Sequence, residues 1–363
     1  MPEQGPSRPS PAAPDPDARL TVAVCTVGRP AFLRALRLLA AGDTAAVAEL
    51  IVVDNSGGVL DRGAAAAAAA PLAVRVLDGT GPASAGRNLA LAEARTDVVL
   101  FFDDDCLPEP DWAREMAGYM AAEPEVAAAF GHVEPVPRPG WRLRTAVLPL
   151  LGENAWGTAD SPEGELWCPA VSAPSWRAGT VTGEPTVPWC AVGSSNNLAL
   201  RRSRLLPGRP AFLPHLGPGT GAGSGEDTEL GYALMRAGRG VAYVPQAGLL
   251  HDSWMPPSSA EQAHRGYIRG NVEALGHHAL RGDAHAARLL AAYVGHFRTD
   301  NDYGLREFGD ILEWAYGSLS AGAERPPLRK SDLALSGAAP EPVAAAAVPV
   351  ERGVPAQDGG RAR

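Results

Sequence analysis

Lysine is almost missing from this 363-residue chain: Lys330 is the single example, so arginine supplies the rest of the 32 cations. Against them stand 41 Asp and Glu, a formal net charge of −9, and no basic run interrupts that balance. A nucleic-acid partner gripped by a cationic face is therefore not expected. Cysteine is scarce too. Cys25, Cys106, Cys168 and Cys190 form no C-x-x-C pair, which argues against a structural zinc site and a disulfide scaffold. Reduced thiols are expected, with a Cys168–Cys190 bridge as the alternative. Long apolar runs are also lacking: Ala64–Val74 falls well short of the ~20 residues of a membrane span. The N-terminal stretch has neither the basic nor the apolar region of a signal peptide. The expectation is a cytoplasmic protein with no transmembrane segment, peripheral attachment at the inner membrane face staying open. What the chain does have is 45% hydrophobic and 20% charged residues, ample material for a core.

Residues 1–18 hold six prolines and no hydrophobic period, so they read as a disordered tail, and 326–363, rich in Pro, Ala and Gly, as another. Within 19–132 short apolar runs alternate with helical patterns. Leu20–Cys25, Leu50–Val53, Leu72–Leu77 and Val98–Phe102 read as strands. Pro30 opens a helix with a Phe32, Leu33, Leu36, Leu39 stripe, and Ser84 caps another over 85–95. Fully apolar strands alternating with helices predict an α/β fold, a mostly parallel sheet covered on both faces, with ligands beyond the carboxyl ends of the strands. Residues 133–258 form a second half whose first part, 133–190, is rich in Pro, Trp and Gly with weak periodicity. Val192–Leu200 and Val241–Pro245 read as strands and Glu226–Ala237 as a helix. From 259 to about 325 the pattern is helical, with Leu289, Leu290, Tyr293, Val294 and Phe297 on one face.

The strongest chemical signal is Asp103-Asp104-Asp105, directly after a buried strand. Three adjacent carboxylates repel one another unless a cation sits among them. A hard divalent ion with oxygen ligands, its shell completed by diphosphate oxygens, is the natural partner; a solvated loop is the plain alternative. Asp103 and Asp105 project differently from Asp104, so those two are assigned to metal and ligand.

With its neighbours this motif resembles the family-two glycosyltransferases, inverting enzymes of the Rossmann-like GT-A fold. Val24-Cys25-Thr26-Val27-Gly28-Arg29-Pro30 is similar to that family's first strand and nucleotide loop, and Ile51-Val52-Val53-Asp54-Asn55-Ser56 to its second strand. Ala85-Gly86-Arg87-Asn88 resembles its arginine-asparagine helix start, Asp103-Asp104-Asp105 its D-x-D element, and Gly193–Arg202 the strand after it. Gly225-Glu226-Asp227-Thr228-Glu229 resembles its E-D motif and His251 its late metal-binding histidine, with Asp252 as the fallback.

The resemblance implies a nucleotide-diphosphate sugar donor, Mn²⁺ or Mg²⁺, and an acceptor that is a small molecule, a glycan or a lipid-linked glycan. Thr26, Arg29, Asp54, Arg87, Asn88, Asp103 and Asp104 would face the donor. Asp54 can accept from base or ribose, and an Asx turn with Ser56 and Gly57 is compatible with that role. Arg87, in a first helical turn, favours an anion. Asp105, Asp103 and His251 would hold the metal. Asp227 would be the general base that deprotonates the acceptor hydroxyl, with Glu226 orienting it. Asn196, Asn197 and Trp189, one of the tryptophans crowded into 141–189, are placed near the acceptor. The segment 217–225, five glycines in nine residues, lacks G-K-[ST] and is no Walker loop; it reads as a pliable cover or as a linker. Two other functions fit the same architecture. One is a catalytically inactive nucleotide-sugar-binding protein. The other, a sugar nucleotidyltransferase, wants a glycine-rich basic loop where Thr26–Pro30 supplies one glycine and one arginine.

Overall fold

The first strand, β1 (Leu20–Thr26), is buried along almost its whole length, because both faces of the sheet are covered by helices. This computed structural model describes residues 19–145, 155–161, 164–173, 178–181 and 193–299. Both expected tails, the helical pattern beyond residue 299, Trp176, Trp189 and Cys190 lie outside the described residues. In chain order follow α1 (Phe32–Ala41), β2 (Val47–Asp54), α2 (Arg62–Ala68), β3 (Val74–Asp78), α3 (Ala83–Glu93) and β4 (Val98–Asp103). Next come β5 (Cys106–Pro108), α4 (Trp112–Ala122), β6 (Val126–Pro135), β7 (Arg142–Thr145), β8 (Ala155–Ser161), β9 (Gly164–Val171) and β10 (Gly179–Val181). The described chain closes with β11 (Asn197–Arg201), α5 (Glu226–Arg236), β12 (Gly240–His251), α6 (Pro257–Ala279) and α7 (Ala284–Thr299). No helix among them is long and apolar enough to cross a membrane.

The main sheet runs β10-β12-β6-β11-β4-β1-β2-β3, with β5 added to β12. β1 pairs in parallel with β2 and β4, β2 with β3, and β6 with β12, while β11 lies antiparallel between β4 and β6. The parallel registers Thr26↔Asp54 and Cys25↔Asp103 bring the polar strand ends to one edge. The antiparallel pairing His251↔Cys106 carries the end of β12 to the same place. The core beneath is Leu, Val and Phe from the strands with Phe32, Leu36 and Leu39 of the predicted α1 stripe; Ala35 joins them, and Leu33 is only half-buried against the cluster.

Three elements differ from expectation. The 133–190 stretch contains an antiparallel sheet, β7-β8-β9, in which Trp156, Thr158 and Cys168 are buried; a polar Thr among the inward residues obscures its period. β12 continues past Pro245 to His251, because a register shift between Val244 and Gly248 accommodates a residue without an N–H. The helical pattern after 259 is two helices, parted where Gly282 takes φ +90°.

Candidate active site

A cavity of about 470 Å³ opens at the carboxyl edge of β1 and β4 and reaches the start of α5 and one face of α6. Asp103, Asp104, Asp105, Glu226, Asp227 and His251 all line it, with Thr26, Arg29, Arg87 and Asn196. Asp104 turns toward the loop after β1: its Oδ2 accepts from Thr26 Oγ1 at 2.8 Å and Val27 N at 3.1 Å. The Thr26 hydroxyl in turn accepts from Gly28 N at 2.9 Å, a residue whose φ of +82° suits glycine. Arg29 closes over the pair, with Nε 3.4 Å from Asp104 and a hydrogen bond to Asp105.

Asp105 faces His251, Oδ1 to Nε2 at 3.4 Å. The other ring nitrogen, Nδ1, lies 2.8 Å from the Pro169 carbonyl, which can only accept, so Nδ1 donates and Nε2 is the nitrogen aimed at Asp105. Burial opposes charge on both groups, yet their mutual attraction outweighs it. His251 is lifted well above its ordinary value, and Asp105, helped by Arg29, is lowered to about 2. Asp105, His251 and Cys106 offer ligand atoms within 4.8 Å of one another. Burial pushes the Cys106 thiol far up, so it stays protonated, and a hard divalent ion would find its ligands in Asp105 and His251. Asp103 is outside this group: its Oδ1 takes Arg87 at 2.8 Å.

Arg87, 3% exposed, joins the two acidic motifs. It holds Asp103 and, at 3.1 Å, Glu226, with its guanidinium 5.6 Å from the centroid of the Phe212 ring. The bridge exists because α5 begins at the cavity. Gly225 takes φ +91°, and a Cβ there would lie 2.3 Å from the Gly270 carbonyl, so only glycine lets α5 start against α6. The first-turn carboxylates benefit from the free amides of the helix N-terminus. Asp227 accepts from Ser195 N at 3.1 Å and Thr228 N at 2.7 Å, while Ser195 Oγ donates to Glu226 at 2.9 Å. Burial raises both carboxyls above the usual range. Glu226 reaches about 7, because burial and then the Asp227 charge outweigh Arg87.

Three of the residues expected at the site, Asp54, Asn88 and Asn197, do not line the cavity. Asp54 Oδ1 accepts from Ser56 N at 3.0 Å, the Asx turn, and its Oδ2 from Arg62 at 3.2 Å. Asn88 exchanges hydrogen bonds with the Phe212 backbone at 2.6 and 3.0 Å, pinning a distant loop rather than facing a donor. Asn197 is fully buried; it accepts from Trp112 Nε1 at 2.9 Å and donates to the His132 and Ala247 carbonyls at 2.9 Å each. Asn196 does line the cavity, and it holds the Ala170 carbonyl at 3.1 Å, where the backbone carries a positive φ of 54° without glycine.

The cavity also contains residues that the motifs did not single out: Asn55, Ser195, Tyr267 and Asn271. Asn55 follows Asp54, and its buried Oδ1 has no partner. Ser195 lies within the Gly193–Arg202 motif, while Tyr267 and Asn271 offer no sequence signal beyond their i, i+4 spacing. The glycine-rich segment is a wall: Pro218, Gly219, Gly223 and Ser224 line the cavity, and the loop is closed by Gly217 N to Ser224 O at 3.0 Å.

Residues 21–164 match the family model described as Glycosyl transferase family 2. No curated protein matches the chain. Among solved structures, Staphylococcus aureus TarS 1–349 in complex with UDP-GlcNAc is 16% identical with a TM-score of 0.53, covering 83% of this chain and 80% of that one. TarS 1–349 alone is 15% identical with a TM-score of 0.51, covering 84% and 83%. A longer TarS chain is 19% identical with a TM-score of 0.50, covering 85% of this chain, which thus spans 50% of the longer one. The chain has the GT-A fold of these proteins, and its residues 21–164 are similar to glycosyl transferase family 2.

Proposed function

We propose that the protein transfers a sugar from a nucleotide-diphosphate donor to an acceptor hydroxyl, with inversion, with the help of a divalent metal, and with Asp227 as general base. One observation carries this reading: Asp103 and Asp105 line one cavity with Asp227, more than a hundred residues away in sequence, and Arg87 bridges Asp103 to Glu226, the neighbour of Asp227. A fold shared with TarS, whose structure holds UDP-GlcNAc, is in keeping with it. Asp105 and His251 would hold Mn²⁺ or Mg²⁺, which when bound neutralises charge on a leaving diphosphate.

The chain's own residues do the rest. Thr26, Arg29 and Asn55 border the end of the cavity built by β1 and β2 and bind the nucleotide there. Asp104 orients the Thr26–Arg29 loop from below. Asp227 keeps a lone pair for the acceptor proton, since each of its oxygens accepts one backbone amide, and burial raises its affinity for that proton. Glu226, anchored by Arg87 and Ser195, fixes the first turn of α5 on which Asp227 rides. The test is Asp227→Asn with a panel of nucleotide sugars. Loss of a general base lowers transfer by about 10²–10⁴-fold while nucleotide affinity is kept; transfer at the wild-type rate refutes the assignment.

A further inference from the structure

One wall of the cavity comes from α6, where Ala263, Tyr267 and Asn271 recur every four residues and present one helical face to it. Asn271 is 6% exposed. Its Oδ1 accepts from Thr228 Oγ1 at 3.0 Å, on the residue after Asp227, which leaves the Nδ2 hydrogens as the group offered to the cavity. Tyr267 sits close enough to Asp227 and Glu226 that, after burial, their charge lifts its phenol above the ordinary range. The ring is backed by Trp156 with centroids 5.8 Å apart, and Trp156 by Trp167 at 6.0 Å, so it is a supported aromatic wall. The charges around it are one-sided. Both guanidiniums that line the cavity are already engaged by carboxylates, Arg29 by Asp104 and Asp105, Arg87 by Asp103 and Glu226. The α6 arginines, Arg265 and Arg269, do not line the cavity.

Resting on the reading of Asp227 as the base, we propose that Tyr267 and Asn271 form the acceptor subsite, and that the unit they hold is an uncharged ring polyol, a saccharide residue bearing neither phosphate nor carboxylate. An aromatic face takes the C–H face of a sugar ring. The Asn271 amide donates to a ring hydroxyl, and a neighbouring hydroxyl then meets Asp227. An anionic ring would confront Glu226 and Asp227 with no uncommitted cation among the described cavity residues, a repulsion that disfavours it by about tenfold or more.

The full chain, saturated with Mn²⁺ and whichever of UDP or GDP it binds, is titrated by saturation-transfer NMR with methyl hexopyranosides and with hexose 6-phosphates. Support is binding of a methyl glycoside at least about tenfold tighter than of the phosphates, weakened by about fivefold or more in both Asn271→Ala and Tyr267→Leu. Nucleotide affinity should stay within about twofold in both variants, which also certifies their folding. Tighter binding of a 6-phosphate, no binding of any methyl glycoside, or affinity untouched by both substitutions overturns the proposal. Failure of both UDP and GDP to bind overturns the nucleotide-sugar reading itself and is seen separately, before any glycoside is added.

Discussion

Deleting the Arg87 charge tests how the two acidic motifs are held together. The side chain is 3% exposed and contacts Asp103 at 2.8 Å and Glu226 at 3.1 Å. At an effective dielectric near 20, each contact represents about 5–6 kcal/mol of gross attraction, much of it offset by desolvation. Breaking a buried pair costs about 3–5 kcal/mol net. Arg87→Met keeps an apolar stem beside Phe212 while removing the charge, so at pH 8 the melting temperature should fall by about 6–10 °C. The pH dependence follows from Glu226, raised from 4.5 to about 7. Well below pH 7 its carboxyl is protonated in the native protein and gains little from a guanidinium; above pH 7 it is anionic and needs one. The deficit at pH 5 should therefore shrink toward the Asp103 contact alone, whose carboxylate side chain is 33% exposed. Circular-dichroism melts of both proteins at pH 5 and 8 decide it. Equal deficits at the two pH values, or a shift under about 1 °C at pH 8, would refute the bridging role.

As the proposed general base Asp227 would have to be anionic, so kcat/KM should fall on the acid side with an apparent pKa above that of an ordinary carboxylate. Glu226→Gln removes a neighbouring negative charge and should move that limb to lower pH by about one unit; a stationary limb would contradict a shared titration. Chelation should abolish transfer and added Mn²⁺ restore it, while His251→Ala should raise the Mn²⁺ needed for half-saturation, read by electron paramagnetic resonance, by at least about tenfold. An unchanged Mn²⁺ titration would remove His251 from the ligand set. Gly225→Ala places a Cβ 2.3 Å from the Gly270 carbonyl at φ +91°, so urea unfolding should show a loss of about 2–4 kcal/mol; a neutral result would mean that α5 and α6 can separate there freely.

The layered α/β plan, and the residues that end its strands, are legible in the order of the amino acids alone. Apolar periodicity is local, and a polar residue directly after a buried strand must lie at the sheet edge. That logic places Thr26, Asp103, Asp104 and Asp105 correctly, and the run of acidic residues after Gly225 correctly marks a helix start. Tertiary structure decided which of these side chains remain available. Asp54, Asn88 and Asn197 all sit close to the strand and helix ends where ligands gather, yet their side chains are turned to Ser56 and Arg62, to Phe212, and to Trp112, His132 and Ala247. Asn55, one position from Asp54, lines the cavity instead. Tyr267 and Asn271 reach the cavity only because α6 packs against the glycine start of α5. A residue's position along its own element follows from the pattern of its neighbours. Its free lone pairs and protons depend on partners as much as 139 residues away, as for Arg87 and Glu226, and no local pattern encodes those.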